Sequence, residues 1–193
     1  MFTIVLPKRK ARFVGGHLAD TIKMKLEFTN TISDDIKLNS VLMSGCMSAD
    51  YSNQIFLTLS EDGTIMRLYK IKYERHCSPF KEALLFDNLL AVGHEEHFYL
   101  FDMTTNQNIV RLALSGYFGH LYYDNQLFYI ADAHGLHCID KNGEIHWTNL
   151  ELAIDGVIVH GFTDNIILGS GEFDPPGGWV DFSIEKATGN KTA

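Results

Sequence analysis

Short apolar or alternating runs, broken by Asp, Asn and Gly, fill most of this chain. They read QIFLTLS, TIMRLYKI, LLAVG, HFYLFD, NIVRLAL, QLFYIAD, LHCID, GVIVHGF, NIILGS and WVDFSIE. A two-residue period puts side chains on alternate faces of a strand, whereas an amphipathic helix needs apolar residues every three or four. The helical pattern is scarce here. The β-branched and aromatic content of the runs, with turn residues between them, predicts an all-β protein.

Four runs open alike, as SNQIFLTL, DNLLAVG, DNQLFYI and DNIILGS, and their asparagines are Asn53, Asn88, Asn125 and Asn165. The spacings are 35, 37 and 40 residues. An apolar run precedes each one; a loop, a third run and an acidic turn follow, at Asp102, Asp140 and Glu185. A fourth run, NIVRLAL or IHWTNLEL, closes two of the units. Four short strands in about 40 residues is the pattern of a propeller blade. Asp-Asn pairs suit the tight turn between a unit's first two strands, because both residues tolerate turn conformations and bond their own backbone. The layout resembles the repeats of PQQ-type and WD-type β-propellers over residues 41–193, although no Trp-Asp dipeptide occurs. The expected fold is one all-β domain over residues 1–193, a small β-propeller-like array of about four four-stranded units, with a β-sandwich as the alternative. The units run over 41–75, 81–115, 118–152 and 156–193. The last lacks a fourth strand, which FTIVL (2–6) or TIKMKLEF (21–28) within residues 1–40 is expected to supply, completing the sheet or the ring.

Equivalent loops of such units emerge on one side. Those between second and third strands are SEDG (60–63), GHEEH (93–97), ADAHG (131–135) and GSGEFDPPGG (169–178). All are acidic, through Glu61, Asp62, Glu95, Glu96, Asp132, Glu172 and Asp174, and the longest adds Phe173 and Trp179. These nine residues are the expected partner-binding set. Apolar anchors ringed by charge suit a protein interface, and the prolines Pro175 and Pro176 reduce the entropy lost on ordering the loop.

Charge sharpens this reading. Net charge is −8, but residues 1–81 carry 12 Lys and Arg against 8 Asp and Glu, while residues 82–193 carry 4 against 16. The acidic part disfavours nucleic acid and favours a basic partner. The basic cluster Lys8, Arg9, Lys10 and Arg12 lacks interleaved aromatics and reads as a solvated terminus. Cys46, Cys77 and Cys138 form no CxxC and imply free thiols. The apolar-then-basic start is the reverse of a signal peptide, and no run approaches the roughly 18 apolar residues of a membrane span, so a cytoplasmic protein is expected.

Catalytic signals are weak. GxSxG, HExxH, a P-loop and GxGxxG before a helix are all missing. His94 and His97, like His134 and His137, are three apart, a spacing that on a strand points to opposite sides and argues against a metal pair. Glu95, Asp132 and Glu172 on one side leave a glycoside-hydrolase arrangement open. Cys138 lies in an apolar run and reads as core. Neither a cofactor nor a metal is expected.

The segment GSGEFDPPGGWVDFSIEKATGN also resembles small bacterial immunity proteins of contact-dependent growth inhibition and related polymorphic toxin systems. Asp174, Pro175, Pro176, Gly177, Gly178 and Trp179, then Thr188 and Gly189, carry the likeness over about 22 residues. The resemblance implies a cytoplasmic, non-enzymatic protein that binds and neutralises one cognate toxin in a 1:1 complex, often a nuclease with a basic cleft. A general protein-interaction propeller is the alternative, and a hydrolase a further one.

Overall fold

The described residues, 23–45 and 48–192 of a computed structural model, form fifteen β-strands and no α-helix. The strands make four small sheets of three or four strands each, consistent with a propeller-like array of four-stranded units. The repeat reading takes the chain as one domain; its contacts group it into two compact units, residues 1–74 and 75–193. The run FTIVL, the basic cluster and Cys46 lie outside the described residues.

The first unit holds β1 (Met24–Thr29), β2 (Val41–Leu42), β3 (Asn53–Glu61) and β4 (Thr64–Tyr73), in the sheet order β1-β3-β4-β2. β1 falls within TIKMKLEF. It pairs with β3 in its own sheet instead of completing the last one, which corrects the sequence expectation for that run. The reason is cross-strand packing: Leu26 lies opposite Leu59 and Phe28 opposite Leu57, and both β3 leucines are buried.

The second unit contains three sheets, each following the other in sequence. β5 (Lys81–Phe86), β6 (Leu89–His94), β7 (His97–Asp102) and β8 (Gln107–Ala113) pair as successive antiparallel neighbours. β9 (Phe118–Asp124), β10 (Leu127–Asp132), β11 (Leu136–Asp140) and β12 (Ile145–Asn149) repeat the pattern. β13 (Val157–Phe162), β14 (Ile166–Glu172) and β15 (Trp179–Glu185) repeat it with three strands. The first hairpin turns use the expected chemistry: Asp87 has φ 51°, and Asn125 and Gln126 have φ 48° and 66°.

Two apolar layers join these sheets. Ala91, Phe98, Leu100, Phe118, Phe128 and Ile130 fill one; Tyr129, Leu136, Cys138, Val157, Ile167 and Ile184 are central to the other. Each fully buried Leu, Ile or Phe contributes about 2 kcal/mol of transfer free energy. The Thr188–Gly189 turn belongs to the second layer's edge. Gly189 has φ 72° and lies against the Trp147 ring, leaving no room for a side chain, while Trp147 Nε1 donates to Lys186 O at 2.8 Å.

Candidate functional site

Antiparallel pairing brings the turns after β6, β10 and β14 to corresponding places in the second unit's three sheets, as the repeat predicts. Glu95, Asp132 and Glu172 occupy those turns. Their carboxylates do different things.

Glu95 sits at φ 52° in the tight β6–β7 turn and is 3% exposed. Its Oε2 accepts from Cys77 N at 2.7 Å and Ser78 N at 3.1 Å, and Oε1 lies 2.7 Å from His76 Nδ1. The acid therefore fastens the segment leading into β5. Asp132 is fully buried. One oxygen accepts from His134 N at 2.9 Å and Gly135 N at 2.8 Å. The other accepts from Ser115 N at 2.9 Å, Ser115 Oγ at 2.7 Å and His137 Nε2 at 3.0 Å. It fastens the segment leading into β9. These two residues are a correction to the expected partner-binding set: their carboxylates point inward, because buried backbone N–H groups need acceptors. A hydrolase pair built on them is disfavoured for the same reason.

In the first unit, taken by itself, Asp62 does similar work at the surface. It occupies the Asp62–Gly63 turn, with φ 47° and 83°, and its Oδ1 accepts from Lys23 N at 3.1 Å, just ahead of β1. Glu61 pairs with Thr64 across that turn and is half-buried, as is Glu96, whose carbonyl accepts from Leu114 N.

The turn after β14 differs. The Glu172 carboxylate reaches into its own loop and accepts from Gly177 N, while its backbone carbonyl accepts from Ile154 N and Asp155 N. Phe173 N donates to Gly178 O and Gly178 N to Asp174 O, both at 2.9 Å. The loop is closed on itself, with Pro175 and Pro176 at its tip. Asp174 is exposed, Phe173 is 41% exposed and Trp179 43%. The indole rim lies close to Gly156, which Tyr117 Oη also approaches. Tyr117 in turn donates to Asp155 O at 2.7 Å and stacks with exposed Phe80 at 6.3 Å between centroids. Sequence reasoning missed Phe80 and Tyr117. Their signal is position: each lies just before the first strand of its sheet, where chain segments meet the acidic turns. Ile154, 53% exposed, lies in the segment that bonds Glu172 O, and Val180, 54% exposed, follows Trp179 on the opposite face of β15.

Two Ser–His–Asp groupings occur. Ser115 Oγ lies between Asp132 and His134, and Ser170 Oγ between Asp181 and His160, at 2.7 and 2.5 Å. In both the hydroxyl bonds the carboxylate directly. Nucleophile activation needs the imidazole in that middle place. Among the described residues no three His, Cys, Asp or Glu side chains gather as a metal site. Cys77 is exposed and Cys138 buried, and both are free thiols. Burial, with Glu95 adding to it at Cys77, pushes each up to about 12. No helix among the described residues is long and apolar enough to cross a membrane.

The buried groups give the protein a pH dependence. Burial pushes His94 down to about 4, against the pull of neighbouring Glu95. Burial would raise Asp132, but the donors from His137, Ser115 and His134 outweigh it and hold the acid at about 2. The unfolded chain thus binds a proton at His94 near pH 6.5 that the folded chain refuses until about pH 4. It binds one at Asp132 near 3.8 that the folded chain refuses until about 2. Stability therefore falls as pH drops from 6.5 to 4, and falls again, by about 2 kcal/mol from Asp132, between 4 and 2. Thermal melts from pH 7.5 to 2.5 are expected to show both declines. A melting temperature constant between pH 7 and 4.5 would contradict the buried, neutral His94.

No family model matches this chain, and no curated protein matches it. A solved structure described as the AfRom2 CNH domain is similar, with a TM-score of 0.38 and 6% sequence identity over 86% of this chain. The chain spans 60% of the length of that structure.

Proposed function

We propose that this chain is a non-enzymatic protein-binding module, and that its role is to bind and neutralise a cognate basic toxin in the cytoplasm. The observation that carries the reading is the 172–179 loop. It is closed by its own backbone bonds, and yet it holds Phe173 and Trp179 out to solvent at 41% and 43% exposure. Large exposed aromatics on a pre-ordered loop are the usual centres of protein interfaces, because little entropy is lost when they dock. The second unit around them carries 6 Lys and Arg against 16 Asp and Glu, a field that draws in a cationic surface. The likeness of Asp174–Trp179 to toxin-immunity proteins supplies the finer role.

The test is calorimetric titration with the protein encoded beside this one. A 1:1 complex that weakens with salt is expected, and Trp179→Ala should weaken it about thirtyfold or more. Absence of binding, or binding indifferent to Trp179→Ala and Phe173→Ala alike, would overturn the reading.

A further inference from the structure

The third sheet of the second unit stops at β15, where its two companions add a fourth strand. β8 and β12 span seven and five residues in that outer place. Beside β15, among the described residues, only 190–192 take it up. Ile184 bridges Lys191, Glu185 N donates to Asn190 O at 2.9 Å, and Thr192 N donates to Ser183 O at 2.9 Å.

Those bonds fix which backbone groups face the edge. Ser183 and Glu185 turn theirs away from β14, and strand geometry repeats every two residues. The N–H and C=O of Asp181 and the C=O of Trp179 therefore point outward, and no described residue outside the sheet bonds them. The stretch is open: Trp179, Val180 and Asp181 are all exposed. Such an edge is a template for another strand. Charge and pattern specify which one. On one face, Trp179 and Asp181 stand beside Glu172 and Ser170; on the other, Val180 and half-buried Phe182 stand beside Gly171 and Gly169. A strand laid antiparallel here meets Trp179 and the Asp181 carboxylate on one face and the apolar side chains of Val180 and Phe182 on the other.

We infer that an extended partner segment alternating basic and apolar residues adds to the Trp179–Phe182 edge of β15 as the sheet's fourth strand. This rests on the interface reading above and gives its binding mode: Trp179 anchors the end of the added strand while Asp181 supplies the backbone ladder and a charge partner.

The probe is a short synthetic peptide alternating valine and lysine, titrated against the whole protein. Micromolar binding is expected, and N-methylation of the peptide's edge-facing amides should abolish it. Asp181→Pro removes the outward donor but leaves the bonds to β14, since that donor faces away from them. It should weaken binding about tenfold or more. Asp181→Ala keeps the N–H and should bind several-fold better than Asp181→Pro. Equal binding of the N-methylated peptide overturns the proposal, as does failure of the unmodified peptide to bind. So does a concentration-dependent dimer that Asp181→Pro dissolves, which would assign the edge to a second copy. If Asp181→Pro leaves the neighbouring-gene protein's affinity unchanged while Trp179→Ala lowers it, the interface stands and strand addition fails.

Discussion

Asp132→Ala is expected to destabilise the protein by about 4 kcal/mol, lowering the melting temperature by about 10 °C. The substitution removes one acceptor from five donors: the N–H groups of Ser115, His134 and Gly135, the Ser115 hydroxyl and the His137 ring. Water cannot replace it easily, because the site is fully buried. Each stranded donor costs on the order of 1–3 kcal/mol, and rearrangement recovers part of the total. Asp132→Asn keeps the shape but turns one acceptor into a donor, so about half the loss is expected. A melting temperature for Asp132→Ala within 2 °C of the parent would show that the carboxylate does not hold the segment entering β9.

Gly171→Ala should cost nearly as much, about 3 kcal/mol, for a steric reason. A methyl group at this β14 position would lie 1.8 Å from the Leu152 carbonyl oxygen and 2.8 Å from its carbon. The obstacle is backbone, so no side-chain rotation relieves it. The segment 150–155 would have to lift away, taking with it the bonds from Ile154 and Asp155 to Glu172 O. Gly161→Ala is the control, because a methyl group there meets nothing within 4 Å. Its melting temperature should stay close to the parent's. Equal melting of the two variants would contradict the close packing assigned to Gly171.

The repeat was readable because its cause is local. Asp-Asn and Asp-Gly turns, and the alternation of the runs between them, are set by neighbouring residues. They placed the strands and the second-to-third-strand turns where the structure has them. Partners distant in sequence were not readable. The run TIKMKLEF looked free to complete the last sheet, since nothing local says that Leu26 and Phe28 will meet Leu59 and Leu57. Glu95 and Asp132 looked like surface acids for the same reason. The backbone donors that draw them inward, Cys77, Ser78 and Ser115, lie 17 or 18 residues upstream. Polarity alone cannot separate a solvated carboxylate from one that caps a buried segment. The loop at Trp179 was legible as an insertion, because its extra length breaks the period. Its companions Phe80 and Tyr117 were hidden in the segments between units, where no repeat pattern marks them.

We propose Trp179 and its loop as the contact surface for a basic protein. The most direct measurement is the dissociation constant of the neighbouring-gene protein for wild type and for Trp179→Ala, at low and high salt. The expected result is a tight complex that salt loosens and the substitution weakens about thirtyfold or more, with the variant's fold intact by circular dichroism. An affinity unchanged by the substitution, or no complex at all, would contradict it.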